Sequence, residues 1–140
     1  MNTVTLTDDE KERIREAFAS VPFAHLLGIK LGEFERGAAT LRLAVREQLR
    51  QNRGVVHGGV TASLIDTASA FAILTLLEPA QSTTTIDLTI HYLRPIRDGE
   101  ATARARVLRA GRRLIVVSVD VVDETGTLLA TALTSYLRLT

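Results

Sequence analysis

The sequence contains no cysteine and no tryptophan, and aromatic residues make up only 4% of its 140 residues. The absence of cysteine excludes disulfides, thiolate metal sites and a cysteine nucleophile. The formal net charge is only +1, so no broad electrostatic field favours nucleic acid or an anionic membrane as a partner. The longest apolar stretch, around residues 70–77, is too short to span a bilayer.

What is present is the composition of an ordinary globular protein, with 46% hydrophobic and 24% charged residues. Neither an internal repeat nor a low-complexity tract divides the chain, so we expect a single domain over residues 1–140. The N-terminal segment is acidic and polar, unlike a signal or transit peptide, which predicts a cytoplasmic protein.

The patterns along the chain predict a helix, two strands, a long helix and four strands. Thr7 and Glu10 form a capping box at the start of the first helix. The expected elements include a helix over 8–19, strands over 27–35 and 38–45, a polar loop over 46–53, and a long helix over 57–77 that ends before Pro79. A long, mostly apolar helix wrapped by a curved antiparallel sheet would bury both elements.

The strand that follows the long helix alternates between apolar and polar side chains. Its expected buried side chains are Ile86, Leu88, Ile90 and Tyr92. Three more strands follow, with turns at Gly111 and at 124–126. The long strands over 113–122 and 127–138 are expected to leave a sheet edge that pairs with a second subunit.

Asp66 stands in the middle of the long helix, within the segment GVVHGGVTASLIDTA. Aspartate is a poor helix former, and no residue one helical turn away is basic. A buried unpaired carboxylate is costly. Two interpretations are open: an aspartate at a subunit interface that is bonded to Ser, Thr or a backbone amide, or a general base or nucleophile beside a small-residue pocket.

The residues His57-Gly58-Gly59 stand where this helix begins. Several backbone N–H groups are unpaired at a helix N-terminus, and the helix dipole adds partial positive charge there. Glycine lets a ligand approach that backbone closely, so the helix end can polarise a carbonyl as an oxyanion hole does. Taken alone, the same residues favour a simple tight junction between a loop and a helix.

Gly58 and Asp66 are eight residues apart, which separates them by about 12 Å along one helix. A base or nucleophile must lie within about 3–3.5 Å of the reacting atom. The two residues of one chain therefore cannot serve the same carbonyl. If both are catalytic, antiparallel helices of two subunits must meet, so the catalytic hypothesis predicts a homodimer with two shared sites.

Other candidate sites have weaker support. His25, His57 and His91 lack the spacing of metal ligands, so no metal site is expected. Ser63 and Ser69 have no histidine partner at helical spacing, which argues against a serine triad. Arginines at strand ends and turns are candidates for binding a phosphorylated ligand, namely Arg94, Arg97, Arg109, Arg112 and Arg113.

The segments NRGVVHGGVTASLIDTA and TTIDLTIHYLRPI resemble those of the hotdog-fold acyl-CoA thioesterases of the phenylacetate-degradation (PaaI-like) family. The order of elements over residues 20–138 agrees with that family. The resemblance implies an α+β hotdog fold and hydrolysis of an acyl-CoA thioester without a metal or other cofactor. It also implies a homodimer that assembles into a dimer of dimers, a homotetramer.

The family pattern assigns a role to both ends of the helix. Gly58 would donate its N–H to the thioester carbonyl, and Asp66 of the opposing subunit would act as nucleophile or as general base on water. His57 would orient the site or contact the thioester region. A hydroxyl residue early in the next strand often assists, which corresponds to Thr85 here.

An amide side chain is also expected at the site. Family members carry Asn or Gln six residues before the histidine, which favours Gln51, with Asn52 as the second choice. The residues expected to contact substrate are Gly59, Ser69, Arg94, Arg112 and Arg113. The small residues around Asp66 leave room for a bulky acyl or aryl group, and the low aromatic content predicts an aliphatic pocket.

Three other functions are open. A dehydratase or hydratase would share the fold, but the Asp-x-Asn-x-x-His signature is absent. A non-catalytic acyl-CoA-binding sensor is the main alternative, although so short a chain has no DNA-binding segment. The third is a structural oligomer in which Asp66 only specifies subunit pairing.

Overall fold

The computed structural model describes residues 4–139, which form three α-helices and six strands. In chain order the elements are α1 (Asp8–Ala19), α2 (Pro22–Leu27), β1 (Ile29–Glu35), β2 (Ala38–Ala44), the 3-10 helix η1 (Glu47–Leu49), α3 (Gly58–Leu74), β3 (Ser82–Tyr92), β4 (Glu100–Ala110), β5 (Leu114–Val122) and β6 (Leu128–Leu139). The predicted α+β hotdog class is confirmed, as are its short N-terminal helix and its long central helix on an antiparallel sheet.

The six strands form one sheet in the order β1-β2-β4-β5-β6-β3, and every neighbouring pair is antiparallel. The expectation that 113–122 and 127–138 leave an open edge is wrong. Short hairpins join β5 to β4 and to β6, so both sides of β5 are occupied, and β6 pairs with β3 on its other side. The free edges of the described sheet therefore belong to β1 and β3.

The helix α3 packs across the concave side of the sheet, mainly against β2, β4 and β5. Its fully buried side chains include Leu64, Ile65, Ala68, Ala72 and Ile73. They meet the inward-facing residues of the strands in one apolar cluster. This burial, rather than helix propensity, holds a helix that begins with two glycines.

The long helix ends at Leu74, three residues before the expected end at residue 77. The buried Thr75 explains the stop, because its hydroxyl donates to Ala72 O at 2.7 Å and accepts from Gly37 N at 2.7 Å. Gly37 lies in the β1–β2 turn. The residue after the helix is thus tied to the sheet, and the next residues continue only as tighter turns.

A second short helix, α2, occupies residues that were expected to lead directly into a strand. Pro22 is its first residue, where the missing N–H costs nothing. Gly28 ends it with φ of 77°, a left-handed conformation that glycine adopts readily. No helix among residues 4–139 combines the length and the apolar character needed to cross a membrane.

Candidate active site

Asp66 lies half-buried in the middle of α3, where the helix passes β3 and β6. Its Oδ1 accepts a hydrogen bond from Thr85 Oγ1 at 2.8 Å and another from the hydroxyl of Tyr136. Thr85 and Tyr136 are register partners on β3 and β6, so neighbouring strands present two hydroxyls to one oxygen. Among residues 4–139, no Lys, Arg or His forms an ion pair with Asp66.

Tyr136 is the main residue of this site that the sequence did not reveal. Its side chain is only 2% exposed, and its hydroxyl also lies 2.7 Å from the backbone carbonyl oxygen of Asp66. Burial, together with the hydrogen bond to the Asp66 carboxylate, raises the pKa of the Tyr136 hydroxyl above its ordinary value. The phenol therefore stays protonated and acts as a hydrogen-bond donor.

A β-bulge in β3 brings Thr85 to the helix side of the sheet. The register against β6 shifts just after Thr85 and leaves Ile86 as the bulged residue. Thr85 and Tyr92 both contact α3. In a regular strand, an odd-numbered and an even-numbered residue lie on opposite faces, so the bulge between them is what lets both face the helix. The expected burial is therefore wrong at Ile86, which is 53% exposed, and right for Leu88 and Ile90, which pack against the core. It is also wrong for Tyr92, which lies on the helix side but is 54% exposed.

The N-terminus of α3 keeps one amide unbonded. His57 is the N-cap residue, and its Nδ1 accepts a hydrogen bond from Gly59 N at 2.8 Å. His57 O accepts from Val60 N at 2.9 Å. Within residues 4–139 no acceptor bonds Gly58 N–H, so Gly58 rather than Gly59 offers a donor at the helix end.

Tyr92 borders the same amide. Its hydroxyl donates to Gly58 O at 2.8 Å, and its ring would lie 3.5 Å from a Cβ at Gly58. Beside these residues is a small cavity of about 190 Å³, which Arg94 and Pro95 also line. The Arg94 guanidinium donates to Leu128 O at 3.1 Å, so part of this predicted ligand-binding group is used within the fold.

The carboxylate and the free amide lie on one continuous helix, eight residues apart. The rise of an α-helix separates them by about 12 Å. One chain therefore contains both chemical groups but does not bring them to a single reacting carbonyl.

A model of the thioesterase superfamily matches residues 53–130. The chain belongs to the thioesterase superfamily. It is 28% identical over 153 aligned positions to the medium/long-chain acyl-CoA thioesterase YigI of Escherichia coli, with 98% of this chain and 99% of that protein covered.

Solved structures agree with the thioesterase fold. The PaaI protein of the E. coli phenylacetic acid degradation operon superposes with a TM-score of 0.86 at 25% identity, with 94% of each chain covered. A thioesterase of Haemophilus influenzae superposes with a TM-score of 0.84 at 26% identity, covering 99% of this chain and 94% of that one. The resemblance to hotdog thioesterases is confirmed, and this chain is a thioester hydrolase of the superfamily.

The predicted amide residues of this thioesterase lie in the loop before α3. Gln51 Oε1 accepts from Arg53 N at 3.2 Å, and Asn52 is exposed. The loop itself is fixed by Arg50, which donates to Arg97 O at 2.6 Å and bonds Asp98. Neither amide contacts the helix carboxylate of its own chain.

Ser69 does not reach the surface of the thioesterase site. It is fully buried, its hydroxyl donates to Ile65 O at 2.9 Å, and it accepts from Thr134 Oγ1 at 3.0 Å. The expectation that Ser69 contacts substrate is therefore corrected to a packing role. Helical spacing correctly predicts that Ser69 lies near Asp66, but it does not predict that the side chain faces the interior.

The predicted arginines of the β4–β5 turn are exposed at one end of the sheet. Arg112 and Arg113 stand in that turn, and Arg138 Nε donates to Gly111 O beside them at 2.9 Å. Arg138 lies two residues beyond Tyr136 on β6 and so on the same face of the strand. The basic cluster Arg112, Arg113 and Arg138 thus lies at the end of the sheet beyond Tyr136, and Arg138 is on the face of β6 that holds the carboxylate.

No group of three or more His, Asp or Glu side chains in the described part of the chain lies close enough to hold a metal ion. His25 Nε2 bonds Ala19 O at 2.7 Å, and His91 is exposed on β3. His57 is therefore the one histidine that the structure connects with the helix N-terminus among residues 4–139.

We expect His57→Ala to lower the free energy of unfolding by about 1 kcal/mol, because Gly59 N–H loses its acceptor at the helix N-terminus. His57→Asn supplies another capping acceptor and should recover most of this loss. Urea denaturation of the two variants and the wild type measures the difference. Equal destabilisation by alanine and asparagine would show that the cap contributes nothing.

Proposed function

We propose that the chain hydrolyses the thioester of an acyl-CoA or aryl-acyl-CoA at a site shared by two copies. The observation that supports this most strongly is that one helix, α3, carries both groups. Its Asp66 carboxylate is held by two hydroxyls, and at its N-terminus the N–H of Gly58 is unbonded. The similarity to a protein named medium/long-chain acyl-CoA thioesterase supports the substrate class.

In each proposed site, Asp66 of one subunit faces Gly58 of the partner subunit. Asp66 takes a proton from water while the water oxygen bonds to the thioester carbon. The carbonyl electrons move onto oxygen, where the helix N–H stabilises the negative charge. The C–S bond then breaks, and the CoA thiolate takes the proton from Asp66, which leaves free acid and CoA.

A nucleophilic route uses the same groups. The Asp66 carboxylate itself bonds to the thioester carbon and expels the thiolate, and water hydrolyses the resulting mixed anhydride to regenerate the carboxylate. Both routes require an ionised carboxylate and a polarised carbonyl. The residue assignment is therefore the same for either.

The free edge of β3 supports the proposed homodimer. β3 is eleven residues long and has no partner strand on its outer side within the described chain, and such an edge readily pairs with another chain. Thr85 marks the end of β3 beside Asp66, and Tyr92 marks the end beside Gly58. Antiparallel pairing of two copies of β3 would set Asp66 of each chain toward Gly58 of the partner subunit.

The basic cluster Arg112, Arg113 and Arg138 is proposed to meet the CoA phosphates. It lies at the end of the sheet beyond Tyr136 and carries guanidinium groups that pair with phosphate oxygens. Gln51 is proposed to assist Gly58 at the carbonyl, since its side-chain nitrogen bonds no described residue. Assembly of the dimer into a dimer of dimers stays a prediction.

Asp66→Asn should lower the rate of thiol release by about 100-fold or more, because an amide can neither accept the proton of water nor attack the carbon. The assay measures free CoA thiol over a panel from acetyl-CoA to palmitoyl-CoA that includes phenylacetyl-CoA. The matched control is Asp120→Asn, which changes a carboxylate on the outer face of β5 that accepts from Thr131.

Full activity of Asp66→Asn would contradict the role of this residue. Tight binding of acyl-CoA by the wild type without any thiol release would instead identify a non-catalytic sensor.

The double variant Arg112→Ala, Arg113→Ala removes both guanidinium groups of the β4–β5 turn. It should raise KM for acyl-CoA about tenfold or more, because charge-assisted hydrogen bonds to phosphate are lost. KM for the same acyl group on N-acetylcysteamine should not change, since that thioester carries no phosphate. Arg104→Ala, an exposed arginine of β4, is the control. An equal rise in KM for both thioesters would argue against phosphate binding by these residues.

A further inference from the structure

The Asp66 carboxylate is bonded unevenly. Thr85 and Tyr136 both donate to Oδ1, and no hydrogen bond from residues 4–139 reaches Oδ2. A carboxylate oxygen that accepts two hydroxyl donors is a weaker base and nucleophile than one that accepts none. The environment therefore distinguishes the two oxygens before any substrate binds.

The two donors differ in how firmly they are held. Thr85 is exposed, on a bulged segment of the edge strand. Tyr136 is buried on an inner strand, paired with Thr85 on one side and with Ile115 on the other. Because its hydroxyl reaches both the side chain and the backbone carbonyl of Asp66, it fixes the orientation of the carboxylate relative to the helix.

We infer that Tyr136 is a positioning residue for hydrolysis: with Thr85 it holds Oδ1 of Asp66 and leaves Oδ2 as the oxygen that acts on water or on the thioester. The inference rests on the proposed function. Tyr136 does not need to touch substrate, since it acts through Asp66. The raised pKa of its phenol keeps Tyr136 protonated, so it serves as a hydrogen-bond donor to the carboxylate.

Few other ionisable groups can influence this pair. The register partners of Tyr136 are Thr85 on β3 and Ile115 on β5, and neither is charged. On α3 the neighbouring polar side chain is Ser69, and on β6 the next residue on the same face is Arg138, which is bonded to Gly111 O. A change at Tyr136 should therefore act chiefly through Asp66.

Tyr136→Phe keeps the buried ring and removes only the hydroxyl. On the best acyl-CoA of the panel we expect kcat to fall about 10- to 100-fold, the effect of one hydrogen bond to a charged group. KM should stay within about twofold, because Tyr136 acts through Asp66 and does not touch substrate.

The folded fraction of each variant, measured by urea denaturation, corrects kcat for any loss of folded enzyme and so separates positioning from simple destabilisation. Thr131→Val is the matched control, because it removes a hydroxyl that donates to the Asp120 carboxylate on the other face of β6. It should change neither kcat nor KM.

A second measurement does not require turnover. The side-chain carboxyl ¹³C signal of Asp66, assigned by its loss in Asp66→Asn, should change its chemical shift at a fixed neutral pH in Tyr136→Phe, because the carboxylate loses a hydrogen-bond donor, and should not change in Thr131→Val. An unchanged ¹³C shift in Tyr136→Phe, or a corrected kcat equal to that of the wild type, would overturn the positioning role. Absence of thiol release by the wild type on every acyl-CoA would instead reject the proposed function, while the ¹³C shift still tests the contact.

Discussion

The hydrogen bonds at Asp66 join the three elements on which the site depends. A carboxylate in the middle of an apolar helix loses much of its hydration, and this loss must be offset by hydrogen bonds or by charge. Here the offset comes from Thr85 on β3 and Tyr136 on β6, without a cation from the described chain.

The same helix offers a hydrogen-bond donor at its N-terminus. His57 bonds Gly59 N–H and thereby fixes the first turn, while the preceding amide of Gly58 stays unbonded. A donor and a carboxylate thus lie at fixed places on one rigid element, and only their separation keeps them from acting together. The proposed dimer removes that separation by setting two such helices antiparallel, and the free edge of β3 provides the means.

The sequence was informative where the chemistry depends on local spacing. The helix with its central Asp66 and the glycines at its start could be predicted because each is encoded within a short segment, and the hotdog fold was implied by the resemblance to a known family. Tyr136 could not, because it lies 70 residues from Asp66 and meets it only through the strand order β5-β6-β3. Strand alternation also failed to predict the bulge at Ile86, since a bulge reverses the alternation without changing the composition of the strand.

The central claim, a site made by Asp66 of one chain and Gly58 of the partner subunit, is tested most directly by mixing two inactive variants. Asp66→Asn removes the carboxylate. Gly58→Pro removes the amide N–H and adds a ring that the helix start accommodates: proline fits the first position of a helix, the backbone of His57 has ψ of 135°, and a Cβ at Gly58 would lie in ordinary contact with Tyr92 at 3.5 Å.

Each variant alone should be inactive toward acyl-CoA. After subunit exchange of equal amounts, about a quarter of wild-type activity should return, since half of the dimers are mixed and each mixed dimer has one intact site of two. Copurification of differently tagged chains shows whether mixed dimers form. Mixed dimers without activity would contradict a shared site.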